Sequence, residues 1–220
     1  MIKRILVGLA GTSYTPVAIE RAVSLAKAHE AEITGVTVLD PRHLHRSERA
    51  SPPRETQPEH ADRPIPMSQD CIEDSIELLE HSCREAGVKH RLLRESGDAF
   101  TKLIDAARYH DLMVFGLQSV LKYGFSGYDP HAHLIRLVGA GVRPLLAVSE
   151  QFRRISRVLI AYNGSMESAK AMKRFVQMRL WPGAELKIVT FHPSSEHAHE
   201  LMLPAEEYCT AHGFNVCHQS

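Results

Sequence analysis

"RILVGLAGT" (Arg4–Thr12) and "RVLIAYNGS" (Arg157–Ser165) lie 153 residues apart in a chain of 220. Both open on a basic residue and run through a short apolar stretch of strand length. Both then close on a glycine followed by a hydroxyl residue. The stretch after each turn has helical spacing, so each reads as strand, tight turn and helix. The same ungapped offset of 153 continues, pairing Ala18 with Ala171, Arg21 with Arg174 and Val23 with Val176. It also pairs Ala31–Glu32 with Ala184–Glu185 and Thr37 with Thr190. A match in element order at one offset marks an internal repeat.

From the first opening the pattern extends outward. Residues 3–8 read as a strand, 14–28 as a helix with Val17, Ala18, Ala22, Leu25 and Ala26 on one face, and 32–38 as a second strand. A helix follows at 67–86, with Ile72, Ile76, Leu79 and Cys83 on one stripe and Gly87 just past its end. Then come a weak strand at 89–94, a helix at 98–109 capped by Asp98, and a buried strand at 111–115. A helix at 130–140 and a strand at 143–148 close the unit. Alternating strands and helices of this kind build a parallel sheet covered on both faces. Right-handed crossovers narrow the choice to a doubly wound α/β fold. The second copy repeats only the first part: strand 156–161, helix 166–179, strand 185–191, helix 197–212 and strand 214–218. The expected organisation is a complete domain over 1–150 and the first part of a second over 151–220. The second unit lacks two strands of the first, so either it is shortened or another chain or the first unit completes its sheet. Self-association is the expectation that follows.

Residues 40–66, "DPRHLHRSERASPPRETQPEHADRPIP", have balanced charge, many prolines and no apolar rhythm. Such a stretch cannot pack a core and reads as a flexible insertion, spanning 39–66 at most. The whole chain carries 26 basic and 26 acidic side chains, a formal net charge of zero. That balance argues against electrostatic docking on nucleic acid or an anionic membrane. No apolar run approaches the length of a membrane span, and the N-terminus reads as a strand rather than a signal peptide. The four cysteines show no paired spacing and suit scattered thiols in the cytoplasm.

"RILVGLAGTS", "RVLIAYNGSMES", "DLMVFGLQS" and the closing strand "RPLLAV" resemble the universal stress proteins in tandem form. The resemblance implies a five-stranded parallel sheet in the order 3-2-1-4-5, like that of the adenine-nucleotide alpha-hydrolases, and often a dimer formed through the fifth strand. It also implies an ATP site. Many members read Asp-Gly-Ser after the first strand, contacting the nucleoside. They read Gly-x2-Gly-x9-Gly-Ser/Thr after the fourth, cradling the phosphates. On this chain the residues in those places are Ala10, Gly11 and Thr12, then Gly116, Ser119, Lys122, Ser126 and Gly127, with Val38 at the end of the second strand. The departures are chemical. Ala10 and Asn163 stand where the family's acid would be, Ser119 replaces the second glycine, and Asp129–Pro130 replaces the final Gly-Ser/Thr. A glycine-rich loop opening a helix can wrap a phosphate, with Lys122 as its cation. Asp129, however, is a natural N-cap before Pro130 and would set a carboxylate where a phosphate should lie. Like charges about 4 Å apart cost on the order of 1–4 kcal/mol.

Three further groups read as structural. His43 and His45, and His192, His197 and His199, read as surface imidazoles rather than metal ligands. Thr12 and Ser165 read as N-caps, since the nucleophile pattern Gly-x-Ser-x-Gly is absent. Met172 reads as core. Two functional readings follow. One is a non-catalytic stress-response module that acts through oligomerisation and partner or small-ligand binding, without tight ATP binding. The alternative is an adenine-nucleotide sensor or weak ATPase that uses the cleft at the ends of the first and fourth strands.

Overall fold

The computed structural model describes residues 2–39, 69–117, 130–141 and 144–217. They form two compact units, one over Ile2–Phe152 and one from Arg153 onward. In the first, the elements run β1 (Arg4–Gly8), α1 (Thr15–His29), β2 (Glu32–Leu39), α2 (Gln69–Ala86), β3 (His90–Ser96), α3 (Ala99–Ala107), β4 (Leu112–Gly116), α4 (Pro130–Gly139) and β5 (Leu145–Val148). All pairings are parallel and the sheet order is β3-β2-β1-β4-β5. The expected insertion at 40–66 lies outside the described residues. Leu39, placed in it, is instead the last residue of β2.

The strands in the middle of this sheet are apolar because both their faces are covered. Leu6, Ala10, Val36, Val38, Met113 and Phe115 pack with Ala99 and Leu103 of α3 and Leu137 of α4. On the other face Gly35 gives Leu79 of α2 its seat: a Cβ there would stand 2.4 Å from Leu79 Cδ2. The amino ends of the strands are tied by polar side chains. The Asp111 carboxylate accepts from the backbone N–H groups of Lys3 (2.8 Å) and Arg4 (3.0 Å). His110 sets Nδ1 2.6 Å from the Ala106 carbonyl and Nε2 2.9 Å from Thr34 Oγ1. Arg91 Nε donates to the same hydroxyl at 2.9 Å.

In the second unit, β6 (Arg157–Ala161), α5 (Met166–Met178), β7 (Glu185–Val189), α6 (Ser195–Ala211) and β8 (Asn215–Val216) form a parallel sheet ordered β6-β7-β8. Its core joins Met172, Val176, Leu186, Ile188, Ala205, Cys209, Phe214 and Val216. Of the expected strand 214–218, residue 218 lies outside the described residues and β8 takes only Asn215–Val216; Phe214 precedes it as a core side chain. Ser165 caps α5 as expected, accepting from Ser168 N–H at 3.2 Å. Thr12 does not cap α1. The N-cap position is Tyr14, and Thr12 Oγ1 accepts from Tyr14 N–H at 3.3 Å, an ST turn one step before the helix. Asp98 occupies the N-cap position of α3, but its side chain makes no capping bond.

Candidate functional site

A ligand of a doubly wound sheet sits beyond the carboxyl ends of the strands where the strand order reverses. Here that is the crevice between β1 and β4, whose connections leave β1 toward β2 and β4 toward β5. The pairing Ile5↔Leu112 through Val7↔Val114, continued two residues, brings Leu9 level with Gly116. The residues expected to bind nucleotide therefore do converge as far as they are described. Ala10, Gly11 and Thr12 leave β1, Gly116 ends β4, and Val38 lies in the neighbouring strand β2. Ser119, Lys122, Ser126 and Gly127, like Asp129, lie outside the described residues.

At close range the turn after β1 is occupied by its own fold. The side chains of Ala10 and Val38 are 0% and 1% exposed and belong to the core beneath α3 and α4. Gly11 has φ +59°, and a Cβ there would lie 2.9 Å from the backbone carbonyl carbon of Cys71 in the first turn of α2. Its backbone thus fits under a helix end. Thr12 is buried. Its N–H donates to Thr15 Oγ1 at 3.0 Å, and the two hydroxyls lie 3.3 Å apart. The second unit has a left-handed glycine at the matching turn, but its neighbour there is a side chain rather than a helix backbone. Gly164, 153 residues on, has φ +76°, and a Cβ would meet Leu201 of α6 at 2.4 Å.

One acidic group at this end was missed from the sequence. Glu150, two residues past β5, accepts a hydrogen bond from the Ser13 hydroxyl. Among the described residues Glu150 thus sets a carboxylate beside Ser13, just past the turn after β1. Glu150 could have been anticipated, because any residue just past a strand of this sheet lies at its carboxyl end. Cys71 and Leu201 had no such local signal, since each reaches its glycine from a distant helix.

Elsewhere the chemistry is quiet. A depression of about 570 Å³ opens at the opposite end of the sheet, lined among others by Lys3, Lys27, Lys89, Glu30 and Glu32. Its charges are mixed and it lies away from the crevice. Among the described residues no cluster of histidine, cysteine or carboxylate side chains could hold a metal ion. His192 and His197 stack with ring centroids 5.7 Å apart, next to the capping Ser194. All four cysteines are free. Burial pushes the Cys83 thiol up to about 11 and raises that of Cys209, so both stay protonated near neutrality.

The fold and its crevice define a class of doubly wound α/β proteins, with one parallel sheet ordered β3-β2-β1-β4-β5 between helices on both faces. Within that class, residues 1–120 match the universal stress protein family, and the chain belongs to that family. A universal stress protein from Archaeoglobus fulgidus DSM 4304 is similar in fold, with a TM-score of 0.57 at 16% identity, over 97% of this chain and 74% of that one. Looser similarity extends to a universal stress protein solved in complex with cAMP, at a TM-score of 0.43 and 18% identity, over 68% of this chain and 98% of that one. A family protein from Burkholderia pseudomallei gives 0.41 and 21%, over 67% and 96%. No curated protein sequence matches the chain significantly. Among the described residues no helix is long and apolar enough to cross a membrane.

Proposed function

We propose that the chain is a non-catalytic stress-response module that works through self-association and partner or small-ligand binding, without tight ATP binding. The observation that carries this reading is the closure of the turn at Ala10–Thr12. No acid is present there to hold a nucleoside, the glycine backbone is packed under Cys71, and the threonine hydroxyl is engaged by Tyr14 and Thr15. Glu150 adds negative charge at the lip, where a triphosphate would need cations.

Thermal melting with and without millimolar ATP and magnesium tests this. A ligand at a hundred times its dissociation constant adds about 2.7 kcal/mol, roughly 5–10 °C in a chain of this size. The expected result is no such shift, with at most a small gain in Glu150→Gln, where one repulsive charge is gone. A clear shift in the unmodified chain would replace this reading with that of an adenine-nucleotide sensor or weak ATPase. The meeting of Gly11, Thr12 and Gly116 at the strand-order reversal favours that alternative.

A further inference from the structure

The depression at the amino ends of the strands is built by three parts of the first unit. The end of α1 supplies Lys27 and Glu30. The turn from α2 into β3 supplies Lys89, and the starts of β1 and β2 supply Lys3, Arg4 and Glu32. A volume of about 570 Å³ is in the range of small-molecule sites. Gly87 keeps the α2 side open, since nothing stands within 4 Å of where its Cβ would be.

The charges here are mixed, but they do not cancel. Glu32 Oε1 lies 2.9 Å from Arg4 Nε and 4.0 Å from Arg91 Nη2, and Glu30 lies 3.9 Å from Lys3 Nζ. Each acid already has a cation. Among the described residues the ammonium groups of Lys27 and Lys89 have no acidic partner. Lysines near helix ends often serve the last carbonyls, but here backbone groups do that. Ala31 N–H donates to Ala26 O, and Val88 N–H to Cys83 O. The field agrees in sign. After burial, the charge of Lys3 helps to lower the pKa of His29 at the end of α1.

We propose that this depression binds a small molecule with two separated anionic groups, such as a dicarboxylate. One group meets Lys27 on the α1 side and the other meets Lys89 on the β3 side. The carbon body between them lies over the half-buried Ala86 and Val88. A ligand with one anionic group reaches only one of the two free cations. The site is at the opposite end of the sheet from the crevice, so it stands or falls independently of nucleotide binding there.

Amide chemical shifts of the whole chain, titrated with succinate at constant ionic strength, test it. The expected result is saturable movement at Lys27, Gly87 and Lys89, with Gly11 and Gly116 unmoved. Lys27 and Lys89 are exposed, so Lys27→Ala and Lys89→Ala leave the core intact. Each should weaken succinate about threefold, the size of one exposed ion pair, and the double variant about tenfold. Butyrate, with a single carboxylate, should bind about threefold more weakly than succinate. No saturable movement, or equal affinity in the double variant, overturns the site. Butyrate or inorganic phosphate binding as tightly as succinate overturns the two-group ligand. Movement at Gly11 and Gly116 instead would place the anion in the crevice and overturn this inference alone.

Discussion

Gly11 lacks a side chain, and the structure uses that lack both in φ and in space. Alanine at φ +59° is strained, and its Cβ would have to displace the Cys71 backbone rather than a flexible side-chain end. Gly11→Ala is therefore expected to destabilise the first unit by about 1–3 kcal/mol, read from urea midpoints. An unchanged midpoint would remove the packing account of this glycine. The sequence marked Gly11 as special but for a different reason. The turn, the strand before it and the helix after it were legible from local pattern. Cys71 was not, because it arrives from a helix some sixty residues on. Thr12 shows the same limit at shorter range: a hydroxyl after glycine looks like a cap, and only the backbone path through Tyr14 makes it an ST turn.

The polar tie at the amino ends of the strands belongs to several elements together. His110 reaches from just beyond α3 to β2, and Thr34 joins it to Arg91 of β3. Burial lowers the His110 pKa below its ordinary value of 6.5, partly countered by the Ala106 carbonyl. The unfolded imidazole therefore takes a proton first as pH falls. The contribution to stability is full above about pH 6.5 and is lost as pH drops from there toward the lowered value. His29 is lowered too, mainly by burial, and adds a loss of the same sign. Urea midpoints at pH 7.5 and 5.5 should show the unmodified chain losing more stability than His110→Gln. Equal losses would mean that His110 does not couple to folding. At this scale the strands and helices were readable from apolar rhythm, and their order from family resemblance. The tie was not, since its members lie on four separate segments that only the strand register brings together.

Across the whole molecule the two units are unequal. The first has five strands with helices on both faces. Among the described residues the second has three strands, and Leu159 of β6 is exposed where Leu6 of β1 is buried. A unit of roughly sixty to seventy residues buries only about 60% of its unfolded surface and is marginal alone. Calorimetry should therefore resolve two transitions. The lower should belong to the second unit, and its midpoint should rise with protein concentration if self-association supports that unit. One concentration-independent transition would show that the units unfold as one and that no assembly supports the second. That a second strand, turn and helix follow at Arg157 was legible in nine residues set against nine. The unequal burial was not, since Leu6 and Leu159 are the same letter and differ only in what covers them.

The buried thiols also bear on how the chain meets oxidants. The thiolate is the reactive form, and burial keeps Cys83 and Cys209 protonated. Oxidation would therefore fall first on the exposed Cys71 and Cys217. Cys71 lies against Gly11, so a modification there would reach the turn after β1 before it reached the core.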